Sequence, residues 1–206
     1  ESEFVPLDFE LAFKEHGDIP PCRIEGGGTH LTINGFVDRL DGWEKDGRLY
    51  IRVVDYKTGR KKFSLSDVCY GLNMQMLIYL FALEKNGGGR YGKKIAPAGV
   101  LYAPAREDIL TASRNASDAE LKTQRAKNLR RSGLVLGEPD VVDAMERGAD
   151  KRYLPVKTAS GGIISGDALA GTEQLEDLSR HIDKMLLKIA GSVHGGSIEA
   201  RPYYKG

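Results

Sequence analysis

Apolar and polar positions alternate along Phe4–Phe13 (FVPLDFELAF), which predicts a strand, and Pro6 near its start, having no N–H to donate, suits a sheet edge. Lys14–Gly28 has no such period. It holds Gly17, Pro20, Pro21 and the run Gly26–Gly27–Gly28, so it reads as a connecting loop with the glycines as a flexible turn. Two stretches rich in β-branched and aromatic residues follow, Leu31–Asp41 (LTINGFVDRLD) and Arg48–Thr58 (RLYIRVVDYKT). With turn residues in Gly42–Gly47 between them, they predict an antiparallel hairpin centred near Lys45.

After the basic loop Gly59–Phe63 (GRKKF) the period lengthens from two to three or four. Ser64 or Ser66 caps a helix expected to run to Asn86, with Val68, Leu72, Met76, Tyr79, Leu80 and Leu83 as its apolar stripe. Lys85–Lys94 reads as an exposed turn and Ala96–Ala103 as a further strand. From Arg106 a polar loop leads into a surface helix from Asp118 to Arg131, then a short strand at Gly133–Leu136 and a short helix at Pro139–Met145. Ala149–Gly162 is irregular. A long helix starts at Asp167 or Thr172 and reaches Ala190, with Leu175, Leu178, Ile182, Met185, Leu186 and Ile189 on one face. Gly191–Gly196 ends it, and Ser197–Tyr203 continues extended. This order of elements predicts an α/β (α+β) chain in which helices flank a central mixed sheet, in one domain over residues 1–206.

Composition changes this picture little. With 41% hydrophobic and 29% charged residues the chain has the make-up of a folded globular domain, and a net charge of +1 argues neither for nor against a polyanionic partner. Cys22 and Cys69 lack CxxC spacing, so neither a disulfide framework nor a zinc site is expected, and the default home is a reducing cytoplasm. No run is apolar enough to cross a membrane, and no phosphate-loop GxxxxGK[ST] occurs, Gly87–Gly88–Gly89–Arg90 not approximating one. The missing initiator Met and the abrupt end at Gly206 suggest a piece of a longer polypeptide.

The candidate chemistry lies in the hairpin, where Asp38, Asp55 and Lys57 interrupt apolar strands. Pairing around Lys45 sets Asp38 opposite Arg52–Asp55, and the period of two puts Asp55 and Lys57 on one face. Two carboxylates beside an ammonium are the groups that metal-assisted phosphodiester hydrolysis needs: oxygen ligands for a hard divalent cation, and a positive charge to orient water and offset developing negative charge. The same residues also fit a surface cluster with an Asp55–Lys57 ion pair, worth only about 0–1 kcal/mol when exposed. The basic end of the Asp118–Arg131 helix similarly fits either a solvated face or a phosphate contact.

The ordered segments Gly35-Phe36-Val37-Asp38-Arg39-Leu40-Asp41, Val54-Asp55-Tyr56-Lys57-Thr58-Gly59 and Gln75-Met76-Leu77-Ile78-Tyr79-Leu80 resemble the GxxDRxD, DYKTG and QxxxY motifs of the RecB-like branch of the PD-(D/E)XK nucleases. The wider layout, with the IxAxP-like Ile198-Glu199-Ala200-Arg201-Pro202, most resembles the nuclease domain of AddB-type helicase/nuclease proteins, with residues 106–162 as an insertion. The resemblance implies a restriction-endonuclease-like fold and a Mg²⁺- or Mn²⁺-dependent DNA exonuclease acting in the repair of double-strand breaks. It implies that Asp38, Asp55 and the Tyr56 carbonyl hold the metal, that Lys57 is the catalytic lysine, and that Gln75 and Tyr79 contact DNA or order the site. Arg39 and Asp41 match motif positions too, but Arg39 points away from Asp38 along the strand, which suits a structural pair.

An AddA-type second subunit is the implied partner, with ATP binding confined to the parent protein. Two departures from the family stand out. Family members carry a further acidic or histidine ligand on an upstream helix, and Glu10, Glu15, His16 and His30 match no motif. AddB-type proteins also hold an iron–sulfur cluster, and Cys22 and Cys69 do not match its cysteines, so none is expected in this chain. The alternatives are a catalytically silent DNA-binding scaffold of the same fold and a Cas4-like exonuclease sharing the motifs.

Overall fold

A computed structural model describes residues 1–59, 61–105, 115–148, 150–158 and 164–199. The chain begins with β1 (Val5–Phe13), a small hairpin of β2 (Cys22–Gly26) and β3 (Thr29–Ile33), and a long hairpin of β4 (Gly35–Lys45) and β5 (Arg48–Lys57). Helices α1 (Leu65–Cys69), α2 (Gln75–Asn86) and α3 (Gly88–Tyr91) lead to β6 (Lys94–Pro104). Then come α4 (Asp118–Asn128), β7 (Ser132–Leu136), α5 (Pro139–Met145), the two-residue strands β8 (Lys157–Thr158), β9 (Ile164–Ser165) and β10 (Leu169–Ala170), and α6 (Thr172–His194).

Among the described residues, six strands form one mixed sheet in the order β1-β4-β5-β6-β7-β10, with β5–β6 and β7–β10 parallel and the other pairs antiparallel. The expected central sheet with flanking helices is therefore present, and β1 lies at its edge as Pro6 suggested. Its centre is buried because β5 and β6 carry Leu49, Ile51, Val53, Val100 and Leu101, each at most 3% exposed. Helix α2 packs across β5 and β6, and α6 covers the β2–β3 hairpin. Residues 1–4 and α5 close the sheet face that carries Arg52, where the Glu3 N–H donates to the Ala144 carbonyl at 2.7 Å and the Arg52 guanidinium lies 4.9 Å from the Phe4 ring centre.

Several boundaries move from where the sequence pattern sets them. The central hairpin turns at Asp46–Gly47, with φ +50° and +72°, and Gly42–Lys45 belong to β4. An Asp-Gly pair with both residues in the left-handed region is a two-residue turn whose twist matches the strands it joins. Leu31–Ile33 belong to β3, because the loop expected over residues 14–28 contains β2, and only its Gly27–Gly28 tip is the turn. The single helix to Asn86 is two: Ser64 caps α1, but Gly71 (φ +84°) and Asn73 (φ +56°) break the helical path before α2. The exposed turn over residues 85–94 contains α3, and α6 runs through Gly191 to His194. Parts of the loop from Arg106, of the irregular stretch 149–162 and of the extended C-terminal segment with its IxAxP-like end lie outside the described residues.

Candidate active site

The ladder between β4 and β5 runs from Lys45↔Arg48 to Arg39↔Val54 and stops there. Both strands go on, β4 bonded to β1 as far as Phe13↔Gly35 and β5 bonded to β6 as far as Lys57↔Pro104, so the sheet forks. Asp38 stands at the fork, level with Asp55 by the same register. Its Oδ2 accepts the Tyr56 N–H at 3.0 Å, so a carboxylate takes the place that a strand carbonyl fills elsewhere in the ladder. The pleat changes phase here: Val37 and Leu40, three apart, are both buried, and Glu10, which lies between the partners of Arg39 and Val37 on β1, holds φ +52°. That irregularity frees Asp38 from simple alternation and turns it toward β5.

Asp55 and Lys57 share a face of β5, and their Oδ2 and Nζ lie 2.6 Å apart. The Asp55 Oδ2 is buried and accepts no well-directed hydrogen bond among the described residues, where this ion-pair contact is its partner. The Lys57 ammonium also lies 5.9 Å from the centre of the Tyr102 ring, and Lys61 approaches that ring at 6.0 Å. Burial first, and then the Asp55 carboxylate, push the Tyr102 phenol above its ordinary range. The structure thus brings Asp38, Asp55 and Lys57 together around the Tyr56 backbone. These donors are hard oxygens, and one of them, the Asp55 Oδ2, lacks a hydrogen bond among the described residues, a combination that fits a divalent cation of the Mg²⁺ type. Among the described residues, no group of three or more His, Cys, Asp and Glu side chains is arranged to hold a metal.

Gln75 and Tyr79, one turn apart on α2, bond to each other, Gln75 Nε2 donating to Tyr79 Oη at 3.3 Å. Tyr79 stacks on Phe13 with ring centres 5.3 Å apart, and its hydroxyl rests against Gly35, where an added Cβ would lie 1.9 Å from Oη. This pair therefore braces the strand that carries Asp38, three residues further on. Arg39 turns the other way, as its place along the strand suggested. It reaches the buried Asp41 through Nε at 2.5 Å and the Tyr56 hydroxyl through Nη1 at 3.0 Å, and Asp41 also takes Arg52 Nη2 at 2.8 Å.

Sequence reasoning noted Gly35 as the first position of the GxxDRxD-like segment without giving it a role, and passed over Tyr102. For Gly35 the available signal was a glycine without a Cβ at the head of the Asp38 strand; for Tyr102 none existed, because its place beside Lys57 depends on the parallel β5–β6 pairing. Both basic segments noted in the sequence, Lys61–Lys62 and the end of α4, open with Lys57 onto one cleft of about 520 Å³.

Comparison with known proteins identifies the family. The model of the PD-(D/E)XK nuclease superfamily matches residues 1–205. An ATP-dependent helicase/deoxyribonuclease subunit from Clostridium acetobutylicum is 34% identical over 98% of this chain. Proteins of the same name from Clostridium botulinum and a Thermoanaerobacter species are 35% and 34% identical over 98% and 100% of it. The chain spans 18% of the length of each.

Proposed function

Since this chain belongs to the PD-(D/E)XK nuclease superfamily, we propose that it is a Mg²⁺- or Mn²⁺-dependent deoxyribonuclease unit, an exonuclease that trims DNA ends during recombinational repair of double-strand breaks. The observation that carries this reading is the fork between β4 and β5, which collects Asp38, Asp55 and Lys57 around the Tyr56 backbone. Asp38, Asp55 and the Tyr56 carbonyl are the residues to hold the cation. Such a cation, when bound, lowers the pKa of a water ligand and neutralises charge on the phosphate oxygens. Lys57 directs its ammonium to the same point, where it orients the attacking water and offsets the charge that develops on the phosphate. Gln75 and Tyr79 act through Gly35 and Phe13 as positioning residues for Asp38. The names of the relatives, each a subunit of a helicase/deoxyribonuclease, support placing this unit in a helicase/nuclease complex; its proposed partner there is a second, AddA-type protein, and its proposed setting is the cytoplasm.

The test is cleavage of single-stranded DNA with Mg²⁺ or Mn²⁺ by this chain and by its Asp38→Ala, Asp55→Ala and Lys57→Ala variants. Cleavage by the parent and a loss of roughly 10²- to 10⁴-fold in each variant are expected. A parent that is inert with both metals, or an Asp55→Ala variant that cuts at the parent rate, overturns the catalytic reading.

One observation favours a second reading, a DNA-binding scaffold of the same fold: no third His, Cys, Asp or Glu joins the two carboxylates among the described residues. Titration calorimetry with Mn²⁺ separates the two. Heat that Asp38→Ala abolishes supports the nuclease, and DNA association without such heat supports the scaffold.

A further inference from the structure

The cleft onto which Lys57 opens lies where the C-terminal ends of the parallel strands β5 and β6 meet the end of α4. Five cations line it, Lys57, Lys61, Lys62, Lys127 and Arg130, with no carboxylate among its described lining residues. A second cleft of about 690 Å³ continues from it, sharing Lys62 and Arg130, adding Arg131 and Lys157, and holding one acid, Asp167. This excess is local, because the chain as a whole carries 30 basic and 29 acidic residues. Elsewhere a good part of the lysines and arginines pair with carboxylates, as in Lys45–Asp140, Lys85–Asp183 and Arg90–Asp8.

Lys57 is paired with Asp55, and along the rest of the clefts the described partners are neutral or absent. Lys61 donates to the Asn73 side-chain oxygen at 2.6 Å, and Arg130 donates to the carbonyls of Leu154 and Val156. Lys62, Lys127, Arg131 and Lys157 have no described carboxylate within ion-pairing distance. Like charges gathered without counter-charges repel one another and lower the stability of the folded chain. A linear polyanion laid along them would relieve that repulsion and release its own counterions, which is the main source of backbone affinity in nucleic-acid binding. The capping box that starts α4 fixes the helix whose other end presents Lys127, so this cation belongs to an ordered element although α4 buries no residue.

We propose that the two clefts form a track for the phosphodiester backbone of the DNA strand on one side of the scissile bond, with Lys62, Lys127, Arg131 and Lys157 as positioning residues. The inference rests on the reading that Asp38, Asp55 and Lys57 form the reacting centre. The track begins at Lys57 and runs over β6 toward the start of β7, away from the fork. The strand is read through its phosphates, so affinity along the track depends on salt and not on base sequence.

Binding is measured by fluorescence anisotropy with a labelled single-stranded oligonucleotide, in chelator to prevent cleavage and over a series of salt concentrations. Lys62→Gln and Lys127→Gln are each expected to lower the slope of log affinity against log salt by about 0.7, and affinity at low salt by roughly five- to tenfold. Both side chains are exposed, so folding is not at stake, and Lys184→Gln, an exposed cation on α6 outside both clefts, serves as the charge control. In the cleavage assay the Lys62→Gln, Lys127→Gln double variant should raise KM by more than tenfold with kcat little changed, whereas Lys57→Ala should lower kcat. A slope unmoved by both substitutions, or moved as much by Lys184→Gln, overturns the track even where the parent cleaves DNA. An inert parent whose salt slope still falls with Lys62→Gln and Lys127→Gln overturns the catalytic reading and leaves the track as a DNA-binding surface.

Discussion

Gly35 carries the most restrictive single requirement near the site, because a methyl group there would lie 1.9 Å from the Tyr79 hydroxyl and 2.6 Å from its ring carbon Cζ. Either Tyr79 leaves its stack on Phe13 or the start of β4 shifts, and both movements act on Asp38. Gly35→Ala should therefore cost about 1–3 kcal/mol in urea unfolding and slow any metal-dependent cleavage. Adding Tyr79→Leu should recover part of that stability, since the colliding ring is gone; a double variant that loses the sum of the two single effects would place the strain elsewhere. Asp55 and Lys57 were legible as same-face neighbours because a strand's period of two needs no knowledge of partners. The geometry of Asp38 was not, because its edge-on approach to Tyr56 depends on a fork in the ladder and on the left-handed Glu10 of another strand.

At the scale of elements, α5 and β7 match their apolar patterns closely, whereas the β2–β3 hairpin escaped notice. Its strands Cys22–Gly26 and Thr29–Ile33 are half exposed and interleaved with polar residues, and their order comes from packing against α6. The break between α1 and α2 was hidden for the opposite reason: Val68 and Met76 keep a helical spacing across it, while Gly71 and Asn73 adopt positive φ. Helix α4 tests how an element persists without a core. It buries no residue, and its start depends on Ser117 Oγ accepting the Glu120 N–H at 3.3 Å while the Glu120 carboxylate accepts the Ser117 N–H at 2.8 Å. The same contact with the Ser117 backbone draws the Glu120 carboxyl below its ordinary range. Ser117→Ala should therefore speed amide hydrogen exchange at Leu121–Arg125 by roughly fivefold. The midpoint of global unfolding should stay where it is, because α4 adds nothing to the core. A falling midpoint would show that α4 is coupled to the sheet after all.

For the whole molecule, alternation and helical periods indicated the class of fold but not the strand order, because β5–β6 pairing is parallel and spans three helices, while β10 joins β7 after a long excursion. The closure of one sheet face by the first four residues was equally unreadable, since Glu1–Glu3 have no pattern of their own and Phe4 reads only as the start of the first strand. In the structure the Arg147 N–H donates to the Glu1 carbonyl at 2.8 Å, Arg147 pairs with Glu3 at 2.9 Å, and the Trp43 indole donates to Glu3 at 3.1 Å. Phe4, 3% exposed, lies under this strap against Trp43 and over the buried Arg52, whose Nη1 has no hydrogen-bond partner among the described residues. Burial pulls the Arg52 guanidinium below its ordinary range, and Asp41 acts in the opposite direction. Removing the Phe4 ring would open a cavity beside this charge. Phe4→Ala should cost about 3 kcal/mol, at the lower end for a buried phenylalanine because water entering the gap can solvate Nη1. Against a net stability of about 5–15 kcal/mol for a domain, that is a large fraction. Trp43, the sole tryptophan, reports on the same place, so its emission should shift to the red in Phe4→Ala and stay near the parent's in Phe4→Leu. A loss below about 1 kcal/mol with unshifted emission would mean that the strap covers the face without contributing to its stability.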